Sequence, residues 1–269
     1  LRVDQAMERL STGKRINHAR DDSAGQAIAT RLAAEIEGLA MASRNVADGQ
    51  SLVDTAESAL VETHALLLRM REVSVQAANG TLSVADNTAL NAEFQQLVAE
   101  VDRISDNTSW AGTKLLNGDS TGDADTVATF SFQAGVNNTS ADAISVDVTN
   151  ADSESLGVFV ATTAAPTVNT INLDDATNAG LAIVAVDAAI ASISTERGKL
   201  GAVSNRMSST MANIDQITVN LTASKGRIED ADFAVETGNL AKGQILQQAA
   251  TAMLAQANAS KQQVLTLIR

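Results

Sequence analysis

The chain has 269 residues, of which 45% are hydrophobic and 2% aromatic, with one proline and no cysteine. The lack of cysteine excludes disulfides and thiolate metal sites, and small aliphatic residues with few helix breakers favour long helices packed side by side. The net charge is −13, and the segment between Lys114 and Arg197, which has no basic residue, supplies −11 of it. Such an acidic segment argues against nucleic acid or an anionic membrane as a partner and indicates a solvated outer surface.

The first part of the chain predicts a turn followed by two antiparallel helices. Residues 1–29 are polar and mixed, and Asp21-Asp22-Ser23 is typical of a turn and a helix cap. A helical pattern then runs from Thr30 to Asn79, where Asn79-Gly80 is a typical helix end. A second helix is predicted from about Asn87 to Ser105, and the short link makes the two neighbours. The apolar face of the first helix contains Leu32, Ile36, Leu39, Val46, Val53, Ala56, Leu60, Leu67, Met70 and Ala77.

The middle of the chain changes period from 3.6 to 2. A loop over 107–122 is followed by Phe130 and Phe132, and then by Ile144, Val146 and Val148, alternating with polar residues on either side of a turn-rich run. This alternation predicts a β-hairpin. Residues 150–178 are rich in Thr, Ala and Asn and predict a variable surface insert.

The C-terminal part predicts a long seam helix and an unusual tail. From Ile183 to Leu221, steps of three and four residues select apolar side chains through five heptads, which over roughly 60 Å requires another helix alongside. We expect that partner to be the helix from Thr30 to Asn79. The tail, Leu240 to Arg269, has no acidic residue and is apolar on all faces, so we expect burial between copies of the chain. Its five amide side chains between Gly243 and Ser260 argue against a membrane span.

Candidate chemistry is sparse. His18 and His64 have no His or Cys at metal-ligand spacing, and no motif of nucleophilic, phosphate-binding or dinucleotide-binding sites is present. The acidic run Asp119–Asp125 is a possible Ca²⁺ loop, but its glycine precedes two of the acids and no closing Glu follows, which favours a polar turn. Trp110 is interpreted as an anchor of its loop, and the glycosylation triplets at Asn107 and Asn138 are common patterns. We therefore expect no enzyme, no cofactor and no metal.

Several motifs together resemble those of bacterial flagellins. The N-terminal runs are LSTGKRINHARDDSAGQAIATRL (10–32), ASRNVADGQSLVDTAESAL (42–60), LRMREVSVQAANGT (68–81), DRISDNTSWAGTKLLNG (102–118) and FSFQAGVNNTSADAISV (130–146). The C-terminal runs are LGAVSNRM (200–207), NLTASKGRIEDADFAVETGNLAKGQILQQAATAMLAQAN (220–258) and the final VLTLIR. The resemblance covers nearly all of the chain except 150–178.

The resemblance implies a mainly α protein: an elongated rod of long antiparallel helices in a coiled-coil-like bundle, with a small β-hairpin and a short variable outer insert. The expected organisation is an N-terminal part of the rod over 1–149, the outer insert over 150–178, the C-terminal long helix of the rod over 179–235 and a polymerisation helix over 236–269. The family's first thirty-odd residues, the partner helix of the tail, do not precede Leu1, and the chain looks processed or truncated. We therefore expect the tail to lack an intrachain partner.

The implied function is that of a structural subunit of the flagellar filament on the bacterial surface, secreted through the flagellar channel and assembling with itself. Export chaperones and hook-associated proteins are implied partners; nucleic acid and membrane insertion are not. Arg69, Arg71 and Glu72 resemble the motif by which animal innate receptors detect flagellins, although Leu68 stands where glutamine is common. Two alternatives are a hook–filament junction protein and a cell-surface binding protein or adhesin that uses the outer face. The expected assembly residues are Leu240, Ile245, Leu246, Leu254, Leu265 and Ile268 in the tail, with Met70 and Val73 on the first helix.

Overall fold

The structure, a computed structural model, describes residues 2–117, 127–137, 139–160, 169–170, 173 and 176–267. Long helices dominate this part of the chain, which confirms the mainly α class. The helices are α1 (Arg2–Thr12), α2 (Ser23–Ala77), α3 (Val84–Asn107), α4 (Ala176–Glu229) and α5 (Phe233–Leu267). Among these, α1 lies in a segment for which the sequence predicted no helix.

Short antiparallel strand pairs lie between α3 and α4. The strands are β1 (Ser109–Trp110), β2 (Thr113–Lys114), β3 (Val127–Gln133), β4 (Ala143–Thr149), β5 (Phe159–Val160) and β6 (Asn169–Thr170). They pair β1 with β2, β3 with β4 and β5 with β6. In the central pair Phe130 lies opposite Val146, and Phe132 opposite Ile144, so the predicted hairpin is confirmed.

The chain forms two compact units, each built from distant parts of the sequence. Unit 1 comprises Leu1–Ala40 and Gln216–Arg269, and unit 2 comprises Met41–Asp215. Unit 1 contains 11 basic and 10 acidic residues, a net charge of +1, whereas unit 2 contains 8 basic and 22 acidic residues, a net charge of −14. The acidity of the chain therefore belongs entirely to unit 2. The four-segment organisation expected from the sequence stays a prediction.

Helices α2 and α4 lie antiparallel in unit 2, as the sequence predicted. Three contacts fix the alignment: Gly49 lies against Met207, Glu57 bonds Arg197 at 2.9 Å, and Arg71 bonds Asp187 at 2.6 Å. As the α2 number rises from 49 to 71, the α4 number falls from 207 to 187. Every seventh residue of the α4 seam is buried, and none of the seam positions is exposed. The buried set is Val186, Ile193, Leu200, Met207 and Ile214.

The cap of α3 and the turn before α2 are built from short acidic side chains. Ser83 and Asp86 form a capping box, in which the Ser83 Oγ accepts from the Asp86 N–H and the Asp86 carboxylate accepts from the Ser83 N–H. The side-chain hydrogen bond from Ser83 lowers the pKa of Asp86.

Asp22 Oδ1 accepts from the Gly25 N–H at 2.9 Å at the start of α2, which confirms the predicted helix-capping cluster. The adjacent Asp21 accepts from the His18 N–H, and this backbone hydrogen bond lowers the pKa of Asp21.

A buried glutamate ties the hairpin to α4. Glu196 is only 5% exposed, and its Oε1 accepts from the Thr149 N–H at the end of β4 at 3.2 Å. Its other oxygen bonds Lys199 at 3.1 Å. Both oxygens therefore have partners, as a buried carboxylate requires. The heptad pattern did not predict that Glu196 is buried. In this half of α4 the second row of buried residues is Ala182, Ala189 and Glu196, and each lies one residue before a predicted seam position.

The start of the predicted surface insert is packed, which corrects the expectation for that part. Ala151, Ser153, Leu156 and Val158 are all buried, with at most 8% exposure. The Ala151 N–H donates to the Leu116 carbonyl at 2.9 Å, and the Ser153 N–H donates to Asp102 at 2.8 Å. Small and β-branched residues in a turn-rich sequence are typical of a surface loop. Here the hydrogen bonds of Ala151 and Ser153 hold the segment against Leu116 and against Asp102 of α3. Residues 161–168, with Pro166, lie outside the described residues.

Candidate assembly surface

The first part of α5 packs against α1, which corrects the expectation that the tail has no partner in this chain. Arg9 of α1 donates from Nη1 to Glu236 Oε1 at 2.8 Å, and Glu236 is only 7% exposed. A Cβ on Gly243 would lie 2.7 Å from Val3 Cγ2, so glycine permits this close approach. The signal in the sequence was the helical spacing of Val3, Ala6 and Leu10, of which Ala6 is 2% exposed.

A short loop after α1 is held to the link between α4 and α5. The Arg15 N–H donates to the Glu229 carbonyl at 2.6 Å, and the Ala231 N–H donates to the Gly13 carbonyl at 2.9 Å. Lys14 Nζ bonds the Glu229 carboxylate, also at 2.6 Å. Gly13 has φ +71, a left-handed conformation that favours glycine after a helix. These bonds place α1 and the beginning of α5 side by side.

Beyond this contact α5 is uncovered. All described residues from 244 to 260 are exposed, including large apolar side chains on several faces of the helix. The exposed fractions are 65% for Ile245, 57% for Leu246, 70% for Met253 and 64% for Leu254. Burying one such side chain stabilises by about 1.5–3 kcal/mol, so this surface offers a large driving force for association.

The residues expected to form the assembly interface divide into three groups. Ile245, Leu246 and Leu254 are exposed on α5, and Leu240 is half-buried beside α1. The Leu265 side chain and all of Ile268 lie outside the described residues. Met70 and Val73 are 0% and 1% exposed, because they belong to the buried face of α2. The expectation that Met70 and Val73 add contacts between subunits is corrected: neither has surface to offer a second copy.

Arg69, Arg71 and Glu72 lie exposed on α2, and charges of the same chain already bind both arginines. Arg69 bonds Glu93 of α3 at 2.7 Å and Glu72 at 3.0 Å, while Arg71 bonds Asp187 of α4 at 2.6 Å. Hydrogen bonds to Glu93 raise the pKa of Arg69, and those to Asp187 raise the pKa of Arg71. The motif is therefore an ordered ion-pair cluster in which α2 meets α3 and α4.

The other candidate sites named from the sequence are the two histidines, the acidic run, the glycosylation triplets and Trp110. His18 Nε2 lies 2.8 Å from Glu8 Oε1, and His64 is half-buried on α2. Within the described ranges, no group of three His, Cys, Asp or Glu side chains could hold a metal ion. The acidic run Asp119–Asp125 and Asn138 lie outside those ranges. Trp110 is half-buried and pairs with Thr113 across a two-residue turn.

One helix, within α4, is long and apolar enough by composition alone to cross a membrane, with a mean hydropathy of 1.5 over its most apolar window. From the sequence, no segment of the chain is predicted to span a membrane. In the fold, the same part of α4 presents Asp187 to Arg71 and buries Val186 and Ile193 within unit 2. Those contacts are typical of a helix packed on protein, and the apolar window is explained by the seam.

Comparison with known proteins gives consistent matches at both ends. The family model of the bacterial flagellin N-terminal helical region matches residues 1–121, and that of the flagellin C-terminal helical region matches residues 183–268. A flagellin of Halalkalibacterium halodurans is 44% identical, and one of Bacillus subtilis is 43% identical; both alignments cover 98% of this chain and 91% of the relative.

Solved structures give the same picture. The crystal structure of Bacillus cereus flagellin matches with a TM-score of 0.51 at 29% identity, covering 64% of this chain and 88% of that one. A putative flagellar hook-associated protein from Vibrio parahaemolyticus matches with a TM-score of 0.61 over 78% of this chain and all of that one. That second likeness, at 13% identity, shows a shared fold alone. The family matches and the close relatives together show that this chain belongs to the bacterial flagellins, the structural subunits of the flagellar filament.

Proposed function

We propose that this flagellin assembles by burying the uncovered part of α5, residues 244–260, between copies of the chain. The observation that supports this proposal is the exposure of Ile245, Leu246, Met253 and Leu254 on a helix that α1 covers only near its beginning. An isolated helix with apolar side chains on several faces gains most of its stability from packing. The role is structural and requires no reaction.

The experiment compares Leu254→Asp with Val84→Asp. Both side chains are strongly exposed, at 64% and 76%, but Leu254 belongs to α5 in unit 1, whereas Val84 lies at the start of α3 in unit 2. We expect Leu254→Asp to abolish self-association in sedimentation velocity and to remove filaments seen by electron microscopy, because a carboxylate cannot be buried unpaired. Val84→Asp is expected to assemble as the parent does. Normal assembly of Leu254→Asp contradicts the proposal.

We also propose the finer roles that follow from family likeness. The likeness to known flagellins supports a place in the surface filament. The chain is proposed to be secreted through the flagellar channel, with an export chaperone and hook-associated proteins as partners. The curated relatives are flagellins and filament proteins at 38–44% identity, so the hook–filament junction and adhesin alternatives are not favoured.

Detection by an animal innate receptor is a further proposal for Arg69, Arg71 and Glu72. Their exposure on α2 supports it, since a receptor has access to the cluster in the free chain. Arg69→Ala is expected to reduce activation of receptor-expressing reporter cells, while Arg44→Ala, exposed elsewhere on α2, is expected to leave it unchanged. Equal activation by the Arg69→Ala variant and the parent contradicts this role.

A further inference from the structure

A polar cleft lies between α1 and α5 within unit 1. Its volume is about 250 Å³, and Gln5, Arg9, Glu236, Asn239, Lys242 and Leu246 line it. The charged groups on its walls are two cations, Arg9 and Lys242, and one anion, Glu236. The cleft therefore has an excess positive charge in a chain whose net charge is −13.

Arg9 has an unused donor in this cleft. Its Nη1 bonds Glu236, but its Nε is buried and has no hydrogen-bond partner in the described structure. A buried donor left without an acceptor is unfavourable, because it has lost its water without regaining a hydrogen bond. The Arg9 side chain as a whole is 22% exposed, and a guanidinium presents its donors in a fork that matches a carboxylate, so the exposed part of this group suits a carboxylate that enters the cleft.

Lys242 is the second cation of the cleft. It is exposed, and no ion pair joins it to any acidic residue in the described part of the chain. Glu236 already accepts from Arg9 and also from Asn239, at 3.3 Å. Nothing on α5 can supply another anion, since no acidic residue follows Glu236 in the sequence.

The remaining acids near α1 are engaged elsewhere. Glu8 pairs with His18 at 2.8 Å, and Glu229 pairs with Lys14 at 2.6 Å. Asp4 is also engaged. Asp4, Glu8 and Glu229 therefore offer no spare carboxylate to the cleft, whereas unit 2 contains 22 acidic residues.

We propose that the cleft between α1 and α5 binds an acidic side chain of a second copy of this chain, with Arg9 and Lys242 as the two binding groups. This inference rests on the proposed self-assembly and adds a charged contact to the apolar one. The excess positive charge of the cleft complements the net charge of −14 on unit 2, and the proposed assembly makes another copy the source of the carboxylate.

Carbodiimide cross-linking of assembled full-length chain tests the contact. The reagent activates a carboxyl group, the Lys242 amine attacks it, an amide forms, and the lost oxygen leaves in the urea by-product. Assembly from equal amounts of ¹⁵N-labelled and unlabelled chain identifies links between copies by mass spectrometry. We expect Lys242 in mixed-isotope links to acidic peptides. Links from Lys242 confined to one chain, or none from Lys242 while other lysines react, overturn the proposal.

Two variants separate the effect of the positive charge of Lys242 from the reactivity of its amine. Lys242→Arg keeps the cation and removes the amine, so it is expected to assemble as the parent does but to lose the cross-link. Lys242→Gln is expected to weaken self-association by about fivefold at low ionic strength, and the difference should shrink in 0.5 M salt as the charges are screened. An unchanged association constant for Lys242→Gln overturns the proposal, even when the far-UV circular dichroism matches the parent.

These outcomes are distinct from a failure of the proposed function. If Leu254→Asp abolishes assembly while Lys242→Gln changes nothing, the apolar interface stands and the charged contact fails. If Leu254→Asp also assembles normally, the proposed function fails with it.

Discussion

Gly49 on α2 lies so close to Met207 on α4 that a Cβ added to the glycine would be 2.8 Å from the methionine Cε. The Phe132 ring of the hairpin would be 3.0 Å away on the same side. One glycine thus allows two helices and a strand to meet in unit 2. Met207 is fully buried there, and its end carbon has little room to move.

Gly49→Ala is therefore expected to destabilise the chain by about 1–3 kcal/mol, as overpacking does in a buried contact. Gly198→Ala on α4 is the matched control, since nothing lies within 4 Å of its added Cβ. Alanine there is expected to stabilise by about 0.5–1 kcal/mol through helix propensity. Urea unfolding of both variants measures the difference. Equal stabilities would refute the close contact between the helices.

Ile214→Asp tests the seam of α4. Ile214 is 4% exposed, so an aspartate would be buried without a partner, and we expect a loss of several kcal/mol. Val184→Asp on the same helix, at 68% exposure, is expected to change stability by less than about 0.5 kcal/mol. Thermal unfolding followed at 222 nm compares the two. A melting temperature of Ile214→Asp equal to that of the parent would count against burial of the seam.

Gly243→Ala tests the packing of α1 on α5. The new Cβ would lie 2.7 Å from Val3 Cγ2, so α1 is expected to shift away and its amides to exchange faster. Hydrogen exchange with mass spectrometry over residues 2–12 should show a loss of protection of about tenfold, equivalent to roughly 1.4 kcal/mol of local stability. The control is Gly238→Ala, whose Cβ meets nothing within 4 Å. Slower exchange of α1 in Gly243→Ala would disprove the contact.

Acid should weaken the cap of α3. The folded pKa of Asp86 is lowered by its hydrogen bonds with Ser83, so its stabilisation is present above the unfolded pKa of 3.8 and is lost as pH falls through the folded value. Ser83→Ala is expected to cost about 1 kcal/mol at pH 7 and to flatten the pH dependence below pH 4. Thermal unfolding at pH 7, 4 and 3 measures both effects. An undiminished acid dependence in Ser83→Ala would contradict this assignment.

The uncovered part of α5 should be cut first by proteases in dilute monomer. Because α1 packs on α5 as far as Gly243, we expect the first cuts after that residue. A protease of broad specificity with mass spectrometry of the fragments locates them. Early cuts before Asn239 would show that α1 does not protect the helix.

The sequence predicted those parts of the fold that repeat a simple period. The α4 seam, the α2 face and the alternation of β3 and β4 each repeat many times, so the buried positions could be read directly. Single events had no such signal. Burial of Glu196 depends on one backbone N–H from Thr149, and burial of Ser153 depends on one hydrogen bond to Asp102 of α3.

The sequence predicted only some residues of the candidate assembly surface. Ile245 and Leu254 were identified from composition, because a helix with apolar residues on all faces needs outside partners. Met70 was wrongly predicted to contact a second copy. A residue buried in the core of one chain and a residue buried between two copies give the same apolar spacing in the sequence. Arg9 and Glu236 were missed because 227 residues separate them, and no periodic pattern links such distant positions.

The pairing of Arg9 with Glu236 also sets the order in which the chain can fold during synthesis. Residues of α1 leave the ribosome before those of unit 2, and those of α5 leave after them. Unit 2, which ends at Asp215, has all its residues available before α5 is made. Unit 1 cannot close until its final helix emerges, so α1 must wait through the synthesis of more than two hundred residues. A nascent chain stalled before Phe233 is therefore expected to contain a folded unit 2 and an unpaired α1.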